Sequence, residues 1–231
     1  MSNKLESLDK DSLGDRSDIK EMVYLKLKQM IMKREFTPNE RIDAVEIARQ
    51  FGISRTPVRD ALNMLDAEGF ITTVSRQGIY VKGIYKKDLI ELFQYRKMVE
   101  LFALDQGFEH LRHHSDKLVG ILNDVASYFD SEKYDGTKVM EADIAFHKFI
   151  VDSTENDRII ESYKKLNGHV QMARAYYLQD LQRIQLAHNE HNKFLDEMRK
   201  GNKEQAKICL QEHLDQTLNN LLKIIDIYKV F

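Results

Sequence analysis

Apolar positions recur at helical spacing along most of this 231-residue chain. Ile19, Met22, Val23, Leu25, Leu27, Met30 and Ile31 give one helix, from Asp18 to about Lys33, a broad apolar face. The polar, aperiodic residues 1–17 before it read as a mobile tail. FTPNERI then turns the chain, with Pro38-Asn39 suited to the centre of a type II turn. A second helix, Asp43 to Gln50, opens on a capping aspartate with Glu46 three residues on, as in a capping box. The turn Phe51-Gly52-Ile53 leads into a third, SRTPVRDALNMLDAEG, from Ser54 to Gly69. Ser54 suits its cap, Pro57 is tolerated in its first turn and Gly69 can close its end. Val58, Ala61, Leu62 and Leu65 form its apolar stripe. Past Gly69 the period changes. Phe70–Val74 and Ile79–Lys82 are β-rich runs around Ser75-Arg76-Gln77-Gly78, a hairpin loop by composition.

From Lys86 the helical period returns and holds over segments of roughly 86–110, 115–130, 136–153, 156–178, 180–200 and 202–228. Polar or Gly-containing breaks such as His113-His114-Ser115 and Lys200-Gly201-Asn202 separate them. The expected fold is mainly α: three helices plus a β-hairpin wing over residues 18–85, a winged helix-turn-helix, then an all-α helical bundle over 86–231. Only 2 prolines and 10 glycines agree with long helices over many short strands.

Composition narrows the setting. No apolar run approaches the roughly 18 residues of a membrane span, and the first residues hold no hydrophobic signal core, so a cytoplasmic protein is expected. The single cysteine, Cys209, excludes an internal disulfide framework. Charge is a weaker guide. Residues 18–85 hold 11 Lys/Arg against 9 Asp/Glu, or +2, and since the chain totals -2 the remainder carries -4. With no global basic field, nucleic-acid affinity would rest on a local patch and on two copies of it.

That patch is visible on the third helix. Arg55 and Arg59 lie at i and i+4, so both point the same way and can reach guanine edges or phosphates, with Thr56 beside them. Alone they would read as a solvated basic face; the preceding capped helix and the hairpin after them favour DNA reading. At the loop tip, Arg76, Gln77 and Gly78 can touch the adjacent minor groove or the backbone. The runs ISRTPVRDALNMLDAEGFI and SRQGIYV closely resemble the winged-helix domain of the GntR family of bacterial transcription regulators, and the helical remainder resembles the FadR-type effector domain, often called FCD. The resemblance implies operator contacts by Arg55, Arg59 and Gly78 and a homodimer on a two-fold symmetric site. It departs at Val45, where some members carry an arginine; Arg49 can substitute, and base specificity does not transfer.

A second constellation lies in the helical part. Asp143 and His147 share one face of a helix at i and i+4, and His191 and His213 lie on two later helices. A carboxylate and three imidazoles supply a mixed oxygen and nitrogen set suited to a divalent transition metal. Spacing alone leaves packed or water-facing histidines as the ordinary alternative. The resemblance implies the metal: much of the FadR-type family carries Asp-x-x-x-His, a His after an acidic residue, and a His before Leu near the C-terminus, and this chain fills all four positions. Zinc is favoured, with nickel and manganese chemically reasonable. Arg96 and Arg174 are candidates to neutralise a second acidic group of a small carboxylate effector, against the plain alternative of a surface or intrahelical ion pair such as Arg96–Glu100. His188, one turn before His191, is a competing ligand or supporting donor, and Cys209, one turn before His213, is a core residue or a neighbour of the same cavity.

The expected function is a regulator, not an enzyme, whose operator affinity is set by a small organic acid at the metal. Two rivals remain: a metallohydrolase with an accessory DNA-binding domain, and a repressor that answers to the ion itself.

Overall fold

The computed structural model describes residues 16–33, 35–83, 85–127, 136–166 and 181–228. It divides into two compact units between Ile84 and Tyr85. The N-terminal unit contains α1 (Arg16–Met32), β1 (Arg41–Ile42), α2 (Ala44–Phe51), α3 (Arg55–Ala67), β2 (Ile71–Val74) and β3 (Gly78–Val81). The expected residues 1–15 of the tail lie outside the described residues.

α3 is the centre of this unit, because its stripe Val58, Ala61, Leu62 and Leu65 is buried against α1 and α2. Each such aliphatic side chain contributes about 1.5–3 kcal/mol by leaving water. Asp43 caps α2 by accepting from the Val45 and Glu46 amides, and Gly52 ends it in the left-handed region at φ 66. The expected capping box is only half made: the Glu46 carboxylate turns to Arg49 and Gln50 instead. Ser54 has the extended backbone of an N-cap, yet its hydroxyl makes no cap hydrogen bond. Asn39 at φ 63, with the Glu40 amide donating to the Thr37 carbonyl at 3.0 Å, completes the expected turn.

The sheet has one strand more than the sequence suggested. β1 joins the hairpin in the order β1-β3-β2, with Arg41 opposite Tyr80 and Ile42 opposite Ile79. Two residues carry no period of their own; β1 exists because β3 offers it a partner.

The C-terminal unit consists of α4 (Lys86–His113), α5 (Ser115–Ser127), α6 (Gly136–Asp152), α7 (Asp157–Lys164), α8 (Leu181–Arg199) and α9 (Lys203–Tyr228) among the described residues. α9 packs on α8 and α4, while α6 packs on α4 and α5. His113 is the last residue of α4 and His114 its C-cap, so neither sits in the loop that the sequence suggested; the His114 amide donates to the His110 carbonyl. α4 and α6 approach closely at Gly107, where a Cβ would lie 2.8 Å from the Ser153 carbonyl oxygen. The helix expected over 156–178 is shorter: α7 ends at Lys164 with Lys165 as its C-cap and a turn at 165–166, and residues 167–178 lie outside the described residues. No described helix is long and apolar enough to cross a membrane.

Candidate metal centre and nucleic-acid interface

One ligand atom from each of Asp143, His147, His191 and His213 comes within 4.8 Å of the others. Opposite ligands of one transition-metal ion span about 4 Å, so the set needs little closure to share an ion. The three imidazoles come from α6, α8 and α9 and are all buried. His191 stacks on Phe146 with ring centroids 4.1 Å apart, which fixes its plane.

The tautomers follow from what holds the far side of each ring. His147 donates from Nδ1 to Glu100 Oε2 at 2.6 Å, leaving its Nε2 lone pair buried with no hydrogen-bond partner. His213 donates from Nδ1 to Glu190 Oε2 at 2.8 Å, which turns its own Nε2 lone pair toward His191 Nε2, 3.1 Å away. Asp143 Oδ1 faces His147 Nε2 at 3.8 Å and His191 Nε2 at 3.6 Å. Lone pairs and a carboxylate converging in a buried space fit a divalent cation well, and carboxylate-held imidazoles are the usual support of such ligands.

Each supporting carboxylate has its own counter-charge. Glu100 Oε1 accepts from Arg96 Nε at 2.8 Å and from the Tyr163 hydroxyl at 2.6 Å. Glu190 accepts from both terminal nitrogens of Arg183 at 3.0 Å, and Arg183 Nη2 also donates to Thr217 Oγ1 at 3.1 Å. Burial alone would raise the Glu100 carboxyl, but Arg96 and His147 beside it outweigh that and hold it below its usual range. Burial pushes His147 down to about 4, against the pull of Glu100, so the ring is neutral at pH 7. Burial also works against ionisation of Glu190, and the bonds from His213 and Arg183 overcome it.

Beside the cluster lies a cavity lined by Asp143, His188, His191, His213 and Thr217 and by apolar residues of α5, α6 and α8. Arg96 is not among its lining residues. Its side chain is fully buried in the ion pair with Glu100 that the sequence offered as the plain alternative, although Nη1 and Nη2 make no hydrogen bond. Arg174 lies outside the described residues. His188 lines the cavity but is not one of the four clustered ligands, and Cys209 is half-buried and does not line it. Sequence reading named Glu100 only as an ion-pair partner of Arg96 and missed its hold on His147, as it missed the supporting roles of Tyr163, Glu190 and Arg183. The signal for Glu100 was present: a charged i,i+4 pair set among the apolar positions Leu92, Phe93, Val99 and Ala103.

In the N-terminal unit Arg55, Thr56 and Arg59 are exposed along the start of α3, and among the described residues neither arginine forms an ion pair. Arg49 is engaged differently: it makes a two-bond pair with Glu46 at 2.9 and 2.6 Å. Arg76 and Gln77 are exposed at the wing tip, Arg76 with φ 63, and the Gln77 amide closes the turn on the Val74 carbonyl. Gly78 has φ +136, and a Cβ there would come 2.9 Å from Nε of Arg41, an exposed arginine of β1 that the sequence reading passed over.

Residues 19–81 match the profile of the bacterial regulatory proteins of the gntR family, and residues 91–216 match the FCD domain. The chain is 25% identical over 206 residues to YdhC, an HTH-type transcriptional regulator of Bacillus subtilis (strain 168), covering 88% of this chain and 91% of the relative. It is 25% identical over 197 residues to the Nta operon transcriptional regulator of Aminobacter aminovorans, covering 85% and 91%. Among solved structures, McbR/YncC of E. coli superposes with a TM-score of 0.72 at 22% identity, covering 89% of this chain and 97% of that one.

Proposed function

Since the chain belongs to the GntR family of bacterial transcription regulators and carries an FCD domain, we propose that it reads a two-fold operator as a homodimer and that a small carboxylate, taken up at a transition metal in the C-terminal unit, sets its operator affinity. The reading helix is α3. Arg55, Thr56 and Arg59 face the major groove, Arg76, Gln77 and Gly78 meet the neighbouring backbone or minor groove, and Arg49 contributes once released from Glu46.

The observation that carries the sensing half is the support of the cluster rather than the cluster alone. Two of the three imidazoles are held at Nδ1 by carboxylates, and each carboxylate is charge-balanced by an arginine. Asp143, His147, His191 and His213 would hold the ion, zinc before nickel or manganese, and a bound ion would supply a Lewis-acidic position for a carboxylate oxygen. Glu100 and Glu190 fix the ring orientations, and Thr217 and His188 border the space the acid enters. Because α4, α6, α8 and α9 all contribute to this arrangement, its occupancy biases their packing, and the bias reaches the reading helices as a shift between conformations of the dimer.

The same engagement supports sensing over hydrolysis: Glu100 and Glu190 are committed to an arginine and an imidazole, which leaves neither placed as a general base. The decisive experiment is elemental analysis of chelator-free protein, wild type beside His191→Ala. About one transition metal per chain, lost in the variant, supports the reading. No metal in the wild type after reconstitution removes it while leaving DNA binding in place.

A further inference from the structure

The described lining of the cavity next to the cluster is apolar apart from the clustered residues, His188 and Thr217. Its walls are Ile121, Leu122 and Val125 of α5, Val139 and Met140 of α6, and Ile184 of α8. Outside the four clustered ligands, the polar side chains among the described lining residues are His188 and Thr217. The Thr217 oxygen already accepts from Arg183. We propose that the acid recognised here is an aliphatic monocarboxylate with a compact apolar body, and that polyhydroxylated acids are excluded. This rests on the carboxylate-sensing reading above and specifies its ligand.

The chemistry of the walls makes the distinction. A carboxylate anchored at the His213 end projects the rest of the molecule along Leu122, Val125 and Val139. Each methylene that leaves water for such a wall tightens binding about fourfold. A hydroxyl placed along Leu122, Val125 and Val139 gives up its hydration and, among the described residues of that wall, meets no side-chain donor or acceptor, which disfavours it. One hydroxyl in an apolar site already discriminates by about a hundredfold in comparable pockets, and a sugar acid carries several.

The test is calorimetric titration of the full-length, zinc-loaded protein with acetate, butanoate, hexanoate and gluconate. The expected result is an affinity that climbs about fourfold per added methylene until the cavity is filled, with hexanoate at least about tenfold tighter than gluconate. Val139→Asn, checked for folding by circular dichroism, should flatten the climb, and a climb as steep as that of the wild type overturns the placement of the chain along this wall. A flat wild-type series, or gluconate bound as tightly as hexanoate, overturns the proposal and leaves carboxylate sensing standing. A different result strikes the reading beneath it: no acid bound at all, or binding that survives in folded His213→Ala stripped of metal.

Discussion

The carboxylate of Glu100 on α4 and the imidazole of His147 on α6 meet at 2.6 Å, both shut off from solvent. Arg96 Nε and the Tyr163 hydroxyl complete the knot from the other carboxylate oxygen. Because neither Arg96 nor Glu100 can reach water, the arrangement is more informative about specificity than about net stability: burying that ion pair is costly, and breaking it is costlier still.

Replacing Glu100 by Gln therefore separates two effects. Loss of the charge that orients His147 should weaken zinc binding about 10- to 100-fold, read by chelator competition. The stranded Arg96 should lower unfolding free energy by about 3–5 kcal/mol, read by urea denaturation. Adding Arg96→Met should restore much of the stability and none of the zinc affinity. Recovery of both would mean that Glu100 acts only through packing.

Arginines of the N-terminal unit should differ in a graded way. Arg55→Ala or Arg59→Ala should cost about 1–3 kcal/mol of operator binding each, since both are exposed and neither forms an ion pair among the described residues. Arg49→Ala should cost less, because its guanidinium is held by Glu46. Band-shift titrations at fixed salt on one operator decide the order; equal losses at all three positions would remove the distinction.

At the α4–α6 crossing, Gly107→Ala should destabilise the C-terminal unit by about 1–3 kcal/mol through overpacking. Ser153→Gly on top of it should not bring full recovery, because the Ser153 carbonyl oxygen would still lie 2.8 Å from the new methyl. Thermal unfolding of the single and double variants checks both statements.

Tyr24 supplies a pH dependence within the N-terminal unit. Its hydroxyl donates to Glu68 at 2.6 Å and accepts from Lys28 at 2.8 Å; burial first, and then Glu68, raise its pKa above the ordinary 10.0. The unfolded chain loses this proton near pH 10, and the folded chain keeps it to higher pH. The contribution is therefore complete below pH 10 and declines as pH rises beyond it. Tyr24→Phe should flatten the alkaline loss of stability relative to wild type, measured by urea midpoints on either side of pH 10. Parallel losses in the two proteins would place the sensitivity elsewhere.

What could be read from the chain alone was whatever repeats locally. The stripe Val58, Ala61, Leu62, Leu65 announces α3 because its period is written within four turns. β1 was invisible because Arg41–Ile42 becomes a strand only by pairing with Ile79 and Tyr80, nearly forty residues on. Asp143 and His147 were readable as an i,i+4 pair, but joining them to His191 and His213 leaned on family resemblance. The support of the site lay deeper. Glu190 is adjacent to His191 in sequence yet serves His213 on another helix, a relation created by packing. Glu100 was noticed only as a surface partner for Arg96, whereas its second oxygen holds a ring 47 residues away.

The wing carries a constraint on how this regulator can change over time. Position 78 is constrained twice, unequally: the exposed, flexible side chain of Arg41 lies where a Cβ would go and can swing aside, whereas a φ of +136 disfavours any residue but glycine. Removing Arg41 opens the first lock and not the second. If the wing reads DNA as proposed, drift in the preference of this edge passes through Arg76 and Gln77, leaving the glycine as the fixed pivot around which new specificities are tried.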